Sequence, residues 1–190
     1  FALKRLANSD ALTGLGNRLR FNEALDAACA AGRRVALVLF DLDKFKEIND
    51  TRGHGFGDLV LQHLSEQILS VCEPDEIAVR LGGDEFAVII EGQDADVRAV
   101  TLAQELIGRL IECQKIGSDS VQLSVSAGVA CSENPDSETL YFEADAALYQ
   151  AKHSARGTFR VFDLGFSRDL DLRHRGHTML RGSQTRRRRP

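Results

Sequence analysis

Apolar and polar positions along this chain follow two rhythms, one near 3.6 residues and one of 2. Val35 to Phe40 is apolar without a break, the pattern of a central strand buried on both faces. Val121 to Ala127 alternates, which predicts a strand with one apolar face. Glu76 to Leu81 and Phe86 to Ile90 are β-prone runs, and the residues between them, Gly82-Gly83-Asp84-Glu85, do not suit a buried strand. Gly-Gly supplies the positive φ of a tight hairpin turn. Thr158 to Phe162 predicts a last strand.

Helical spacing runs over Phe21 to Ala31, with Phe21, Ala24, Leu25 and Ala28 apolar. It returns over Asp58 to Val71, with Leu61, Leu64, Ile68 and Val71 on one stripe, and over Ala95 to Cys113, with Val100, Ala103, Leu106, Ile107 and Leu110 inward. Lys44 to Asp50 predicts a short helix broken by Gly53, Gly55 and Gly57, and Glu138 to Ser154 predicts a last helix. Ser9-Asp10 marks a turn or cap. The order β, α, α, β-hairpin, α, β, α, β predicts an α+β fold, a mixed central sheet flanked by helices rather than an all-parallel one.

At 190 residues the default is one domain with a real core, and 43% hydrophobic and 27% charged residues read as globular. No apolar run approaches the ~20 residues of a membrane span. The net charge of −4 is uneven: residues 168–190 hold eight Arg and two Asp, a net +6, against −10 for the remainder. An acidic body argues against a nucleic-acid-binding face. The run Arg186 to Arg189 reads as a solvated linker or tail. Cys29, Cys72, Cys113 and Cys131 are widely spaced in apolar contexts, as buried free thiols of a reducing cytoplasm would be. The expected organisation is the end of an upstream helix over 1–9, a domain over 10–163 and a linker or basic tail over 164–190. The chain, which starts at Phe1, is expected to be a cytoplasmic piece of a longer protein, with or without a membrane anchor elsewhere.

The candidate chemistry lies in two acidic pairs. Asp41 and Asp43 end the buried run, and Asp84-Glu85 sit at the hairpin tip. Carboxylates on rigid turns suit a hard cation, and magnesium commonly accompanies a nucleotide. Blander readings stay open. Asp41, Asp43 or Asp58 would serve as a helix N-cap, Asn49 as a C-cap near Gly53, Asp84-Glu85 as a solvated turn, and Lys46 and Lys152 as solvated side chains.

Five segments in order then change the picture. They are Asp10-Ala11-Leu12-Thr13-Gly14-Leu15-Gly16-Asn17-Arg18; Asp41-Leu42-Asp43-Lys44-Phe45-Lys46-Glu47-Ile48-Asn49-Asp50; Gly53-His54-Gly55-Phe56-Gly57-Asp58; Arg80-Leu81-Gly82-Gly83-Asp84-Glu85-Phe86; and Ala144-Asp145-Ala146-Ala147-Leu148-Tyr149-Gln150-Ala151-Lys152. Together they resemble the GGDEF domain of the diguanylate cyclase family, from Asp10 to about Phe162. The resemblance implies a fold like the palm of nucleotidyl cyclases and polymerases. It implies condensation of two GTP into cyclic di-GMP and two pyrophosphates, by a homodimer of facing domains with magnesium, or manganese in its place.

By the same resemblance, Asp41, the Leu42 carbonyl and Asp84 hold the metal. Asp84, with Glu85 beside it, is the base for the 3′-hydroxyl. Asn49, His54 and Asp58 contact the nucleotide, and Lys46, Lys152 and Arg156 reach the triphosphate. A carboxylate accepts both guanine donors, N1–H and N2–H₂, whereas adenine would leave Asp58 unpaired. An upstream sensor and a downstream EAL phosphodiesterase domain are expected partners within a longer protein, and the isolated fragment is expected to be monomeric. The alternative reading is a catalytically silent GTP-binding module. A weaker one is a nucleotidyl cyclase using another base, which Asn49 and Asp58 disfavour.

The chain departs from the family twice. Where the family reads Ala-Lys-x-x-Gly-Arg-Asn, this chain has Ala151-Lys152-His153-Ser154-Ala155-Arg156-Gly157, so the turn is expected to move to Gly157. Where many members carry an inhibitory Arg-x-x-Asp, the chain has Glu73-Pro74-Asp75-Glu76. A Glu there repels a dianionic product, which predicts no primary product-inhibition site.

Overall fold

A computed structural model describes residues 7–162. The expected upstream helix at Phe1 to Leu6 and the basic tail lie outside the described residues. In chain order the elements are α1 (Arg18–Ala30), β1 (Val35–Leu42), α2 (Phe45–Arg52), α3 (His54–Val71), β2 (Ile77–Gly82), β3 (Glu85–Glu91), α4 (Ala95–Ile111), β4 (Gln114–Ile116), β5 (Asp119–Val121), β6 (Val125–Ser132), α5 (Ser137–Ser154) and β7 (Phe159–Val161).

The main sheet has five strands in the order β2-β3-β1-β6-β7, and only the β6–β7 pair is parallel. The expected α+β architecture with a mixed sheet is the one observed. β1 lies in the middle, antiparallel to β3 on one edge and to β6 on the other. Its apolar run is sorted by the pleat, because successive side chains point to opposite faces. Ala36, Val38, Phe40 and Leu42 enter the core beneath α3 and α4, whose Leu61, Leu64, Ile68, Leu102 and Leu106 they join. Val35, Leu37 and Leu39 enter the core beneath α1 and α5, with Phe21, Leu25, Leu140, Ala144 and Leu148.

Several boundaries differ from the sequence reading. α3 begins at His54, so Gly55 and Gly57 lie inside a helix instead of breaking it. The cause is packing: a Cβ on Gly57 would sit 2.0 Å from the Asn49 side-chain oxygen, so glycine lets α2 and α3 close together. The alternation over Val121 to Ala127 does not form one strand. Val121 ends a small hairpin (β4–β5) that the sequence reading missed, Leu123 drops into the core, and the long strand starts at Val125. On α4 the buried stripe is centred on Ala99, Leu102, Ala103, Leu106 and Leu110, with Val100 and Ile107 half-buried at its border. The four cysteines are free, but Cys113 is exposed and the other three are half-buried, a correction to the expected buried set.

α5 lies on β6 without space between them. A Cβ on Gly128 would meet Ala144 O at 2.1 Å and Leu148 N at 2.3 Å, both backbone atoms that cannot turn aside. Gly128→Ala must push α5 off the sheet and is expected to cost about 3 kcal/mol. Urea denaturation checks this, and an unchanged midpoint would show that α5 yields freely.

Candidate active site

Strand parity decides where the site forms. Asp41 follows Val35, Leu37 and Leu39 on the face that carries α5, and its antiparallel partner across the β1–β3 ladder is Glu85. Asp84 is joined to the end of β1 by its carbonyl, which accepts the Leu42 N–H at 3.2 Å. The hairpin tip and the strand end thus meet at one edge of the sheet. On α5 the buried residues Leu140, Ala144 and Leu148 recur every fourth position, and the next such position is Lys152. Its ammonium lies 2.6 Å from Asp41 Oδ2. Asp41, Leu42, Asp84, Glu85 and Lys152 are therefore brought together from three elements.

Two arginines brace the hairpin, and the sequence reading assigned neither a role. Arg80 donates to the Gly83 carbonyl at 2.8 and 3.1 Å and pairs with Asp10 at 3.1 Å. Asp10 also accepts from the Thr13 amide and hydroxyl, closing the loop before α1. Burial works against the Asp10 charge, but Thr13 and Arg80 outweigh it and hold its carboxyl below the ordinary range. Arg18 donates to the Leu81 carbonyl at 3.1 Å and lies 3.8 Å from Glu85. The signal was present as basic residues inside two of the quoted segments, but a pairing across 70 positions is invisible to local pattern. Gly82 at φ 140° and Gly83 at φ 56° bear out the expected positive-φ turn.

Asn49, His54 and Asp58 sit on the α2–α3 hairpin. His54 and Asp58 are exposed and one helical turn apart, so they share a face. The Asn49 backbone carbonyl accepts the Gly53 N–H at 2.8 Å, as the end of α2, while its side-chain oxygen is buried beside Gly57 with no partner among the described residues. Asp58 is no N-cap, since α3 starts four residues earlier. Lys46 is exposed on α2. Arg156 lies beside a cavity of about 340 Å³ with Asp43, Lys44, Arg52 and Ser124 among its lining, on the face of α2 opposite Lys46 and Asn49.

Asp43 is not the cap of α2. Lys44 takes that position in a left-handed conformation (φ 60°, ψ 25°), with no side-chain cap bond. It is the only non-glycine residue with positive φ among those described, a strain of about 1 kcal/mol at the turn between β1 and α2.

The chain matches the family model "Diguanylate cyclase, GGDEF domain" over residues 7–158. It belongs to the GGDEF domain family. Among curated relatives it is 40% identical over 164 residues to the cyclic di-GMP phosphodiesterase PdeR of Escherichia coli, covering 84% of this chain and 25% of the relative. It is 38% identical over 159 residues to the diguanylate cyclase DgcS of Shewanella oneidensis, covering 80% of this chain and 52% of the relative. The chain thus spans between about a quarter and a half of these relatives. Among solved structures, the GGDEF domain of TpbB from Pseudomonas aeruginosa superposes with a TM-score of 0.77 at 33% identity, over 86% of this chain and 99% of that one. The coiled coil and GGDEF domain of DgcB from Caulobacter crescentus, in complex with c-di-GMP, gives a TM-score of 0.78 at 33% identity, over 84% and 88%. The palm-like fold is that of these domains. No described helix is long and apolar enough to cross a membrane.

Electrostatics favour a cation at the strand end of this GGDEF domain. Burial raises the Asp41 carboxyl above its ordinary value, Lys152 pulls it back, and Asp84 and Glu85 raise it further. The net direction is upward even with an ammonium in contact. Because the folded state binds the Asp41 proton more tightly than the unfolded state, its contribution favours folding below the ordinary value of 3.8 and is lost as pH climbs through the raised value. Asp41→Asn is therefore expected to raise the melting temperature at neutral pH by about 1–3 °C, with the gain vanishing toward pH 3.5. Differential scanning calorimetry of the metal-free domain reads this, and a lower melting temperature at neutral pH would mean that pairing with Lys152 outweighs burial.

Proposed function

We propose that this domain is a diguanylate cyclase, condensing two GTP into cyclic di-GMP and two pyrophosphates. The observation that carries the reading is the acidic junction of β1 with the hairpin tip, where Asp41 is the cross-strand partner of Glu85 and Leu42 is bonded to Asp84. Degenerate modules have no need to keep such a costly arrangement of carboxylates.

The donor set fits magnesium. Asp41, Asp84 and the Leu42 carbonyl are hard oxygen donors, and the Lys152 ammonium already stands in as a cation at Asp41. Among the described residues no three acidic, His or Cys side chains are disposed to hold a metal on their own, so nucleotide oxygens would complete the shell. Magnesium bound there would neutralise triphosphate charge and acidify the 3′-hydroxyl. Manganese satisfies the same oxygen donors.

The chain's own groups have separable tasks. Asp84 accepts the 3′-hydroxyl proton, and Glu85, held near Arg18, keeps a second negative charge beside it. Lys152 exchanges its carboxylate for phosphate oxygens as the nucleotide enters, and Lys46 and Arg156 add positive charge from either side of α2. Asn49, His54 and Asp58 receive the guanosine, with the Asp58 carboxylate accepting the two guanine donors. One domain takes one GTP. The cyclic product needs two bonds, so two domains face each other and each 3′-oxygen attacks the other nucleotide's α-phosphorus as pyrophosphate departs.

Incubation of the domain with GTP and magnesium, followed by chromatography, is expected to yield cyclic di-GMP. The rate should rise with the square of protein concentration while dimers are scarce, and Asp84→Ala should lower it by at least ~10³-fold. No product, even after fusion to a dimerising coiled coil, would favour the silent GTP-binding module. That second reading has its own support, because two relatives, PdeR of Escherichia coli and NbdA of Pseudomonas aeruginosa, are named phosphodiesterases.

Product inhibition through residues 73–76 is not expected. Glu73 and Glu76 both grip Arg98, at 3.2 and 2.7 Å, so its guanidinium is already spent on two carboxylates. Isothermal titration of the domain, freed of product, should show no tight cyclic di-GMP binding lost on Glu73→Ala. A complex contacting Glu73 would contradict it.

A further inference from the structure

Asp43 has no task in the reading above, yet it is 6% exposed and makes no ion pair among the described residues. Its carboxylate instead collects neutral donors. Oδ2 accepts from Ser124 Oγ at 2.7 Å and from the Gly157 N–H at 3.0 Å, and Oδ1 accepts from Ser126 Oγ at 2.9 Å. Its own N–H donates to the Ser124 carbonyl at 2.8 Å. A buried carboxylate is costly unless its oxygens are satisfied, so this set is a specific structure and not a by-product of folding. It ties three segments at one point: the end of β1, the approach to β6 and the loop after α5.

The loop is shaped for this contact. Ala155 leaves α5 in an extended conformation (φ −166°), and the left-handed turn falls at Gly157 (φ +72°). A Cβ on Gly157 would come within 2.9 Å of Ser124 Oγ, so both the angle and the space call for glycine. Between these two residues stands Arg156, exposed, beside the cavity it shares with Lys44. Among the described residues no hydrogen bond or ion pair holds the Arg156 side chain, so the Gly157 anchor decides where its guanidinium is presented.

We propose that Asp43 is a positioning residue which, through the Gly157 amide, sets Arg156 for the triphosphate of the nucleotide. The inference rests on the cyclase reading for the identity of the ligand, but the anchor itself does not. Asp43→Ala removes every acceptor. Asp43→Asn keeps one oxygen for Ser124 and Gly157 while its amide donates to Ser126, whose hydroxyl can turn to accept. Asparagine should therefore rescue what alanine loses.

The test measures equilibrium binding, with magnesium, of an α,β-methylene GTP analogue and of GMP. Asp43→Ala should weaken the analogue about tenfold and GMP less than about twofold, with Asp43→Asn close to wild type. In an Arg156→Ala background, Asp43→Ala should add less than about twofold, because both act on one contact. Equal weakening of both ligands, or full additivity with Arg156→Ala, would overturn the proposal. If Asp43→Ala does not fold, Gly157→Ala replaces it, and unchanged analogue affinity in that variant overturns the proposal equally. Amide hydrogen exchange gives a ligand-free readout. The Gly157 amide should be protected in the wild type and lose protection in Asp43→Ala or Gly157→Ala, and an unprotected wild-type amide refutes the anchor. A wild type that binds neither ligand refutes the cyclase reading, and the anchor is then judged by exchange.

Discussion

The pairing of β1 on both of its edges is the constraint from which the site follows. Seven residues of β1 are in register with β3 and eight with β6, so the strand can neither slide nor rotate without moving two neighbours. A one-residue slip would exchange the two cores and carry Asp41 to the face of α3 and α4, away from Lys152. The fixed register puts a carboxylate where the apolar run ends, opposite Glu85 and beside the tip that carries Asp84. The rest of the fold makes that register the stable one, through separate clusters of apolar side chains on each face.

Against this rigid frame the site is held at some cost. Asp84 and Glu85 add their charge to that of Asp41 at a strand end, and the ammonium of Lys152 does not return Asp41 to its ordinary acidity. Lys44 turns the chain through a left-handed conformation at the start of α2. Arg80 and Arg18 clamp the carbonyls around the Gly82-Gly83 turn, and Asp43 binds the strand end to β6 and to the loop after α5. Local strain and concentrated like charge, surrounded by specific hydrogen bonds, are what the proposed binding of a cation and phosphates would require before they arrive.

How far the sequence could be read depended on how local the signal was. The unbroken run Val35 to Phe40, the Gly-Gly turn and the stripes of α1 and α3 came from neighbours in the chain, and they were read nearly to the residue. Gly55 and Gly57 were misread as breakers because local propensity opposes them, while the packing of Asn49 against Gly57 rewards them. Val121 to Ala127 was misread because alternation is blind to a chain that leaves one strand, buries Leu123 and enters another. For Asp43 the local sequence offered only a cation-binding pair with Asp41 or a cap of the nearest helix, whereas its partners lie 81 to 114 positions away.

The sequence by itself determined most of the helices and strands, the identity of the central strand and the acidic residues at its end and at the hairpin tip, because periodicity and turn chemistry act over a few residues. Its five motifs also determined the family. Only the tertiary structure decided which of those residues share a site. Parity placed Asp41 and Glu85 on the face of α5, the fourth-residue stripe delivered Lys152 to them, and a buried carboxylate with three distant donors fixed the loop of Arg156. Such contacts depend on pairing register and on the close approach of backbones, and neither is encoded in any short stretch of the chain.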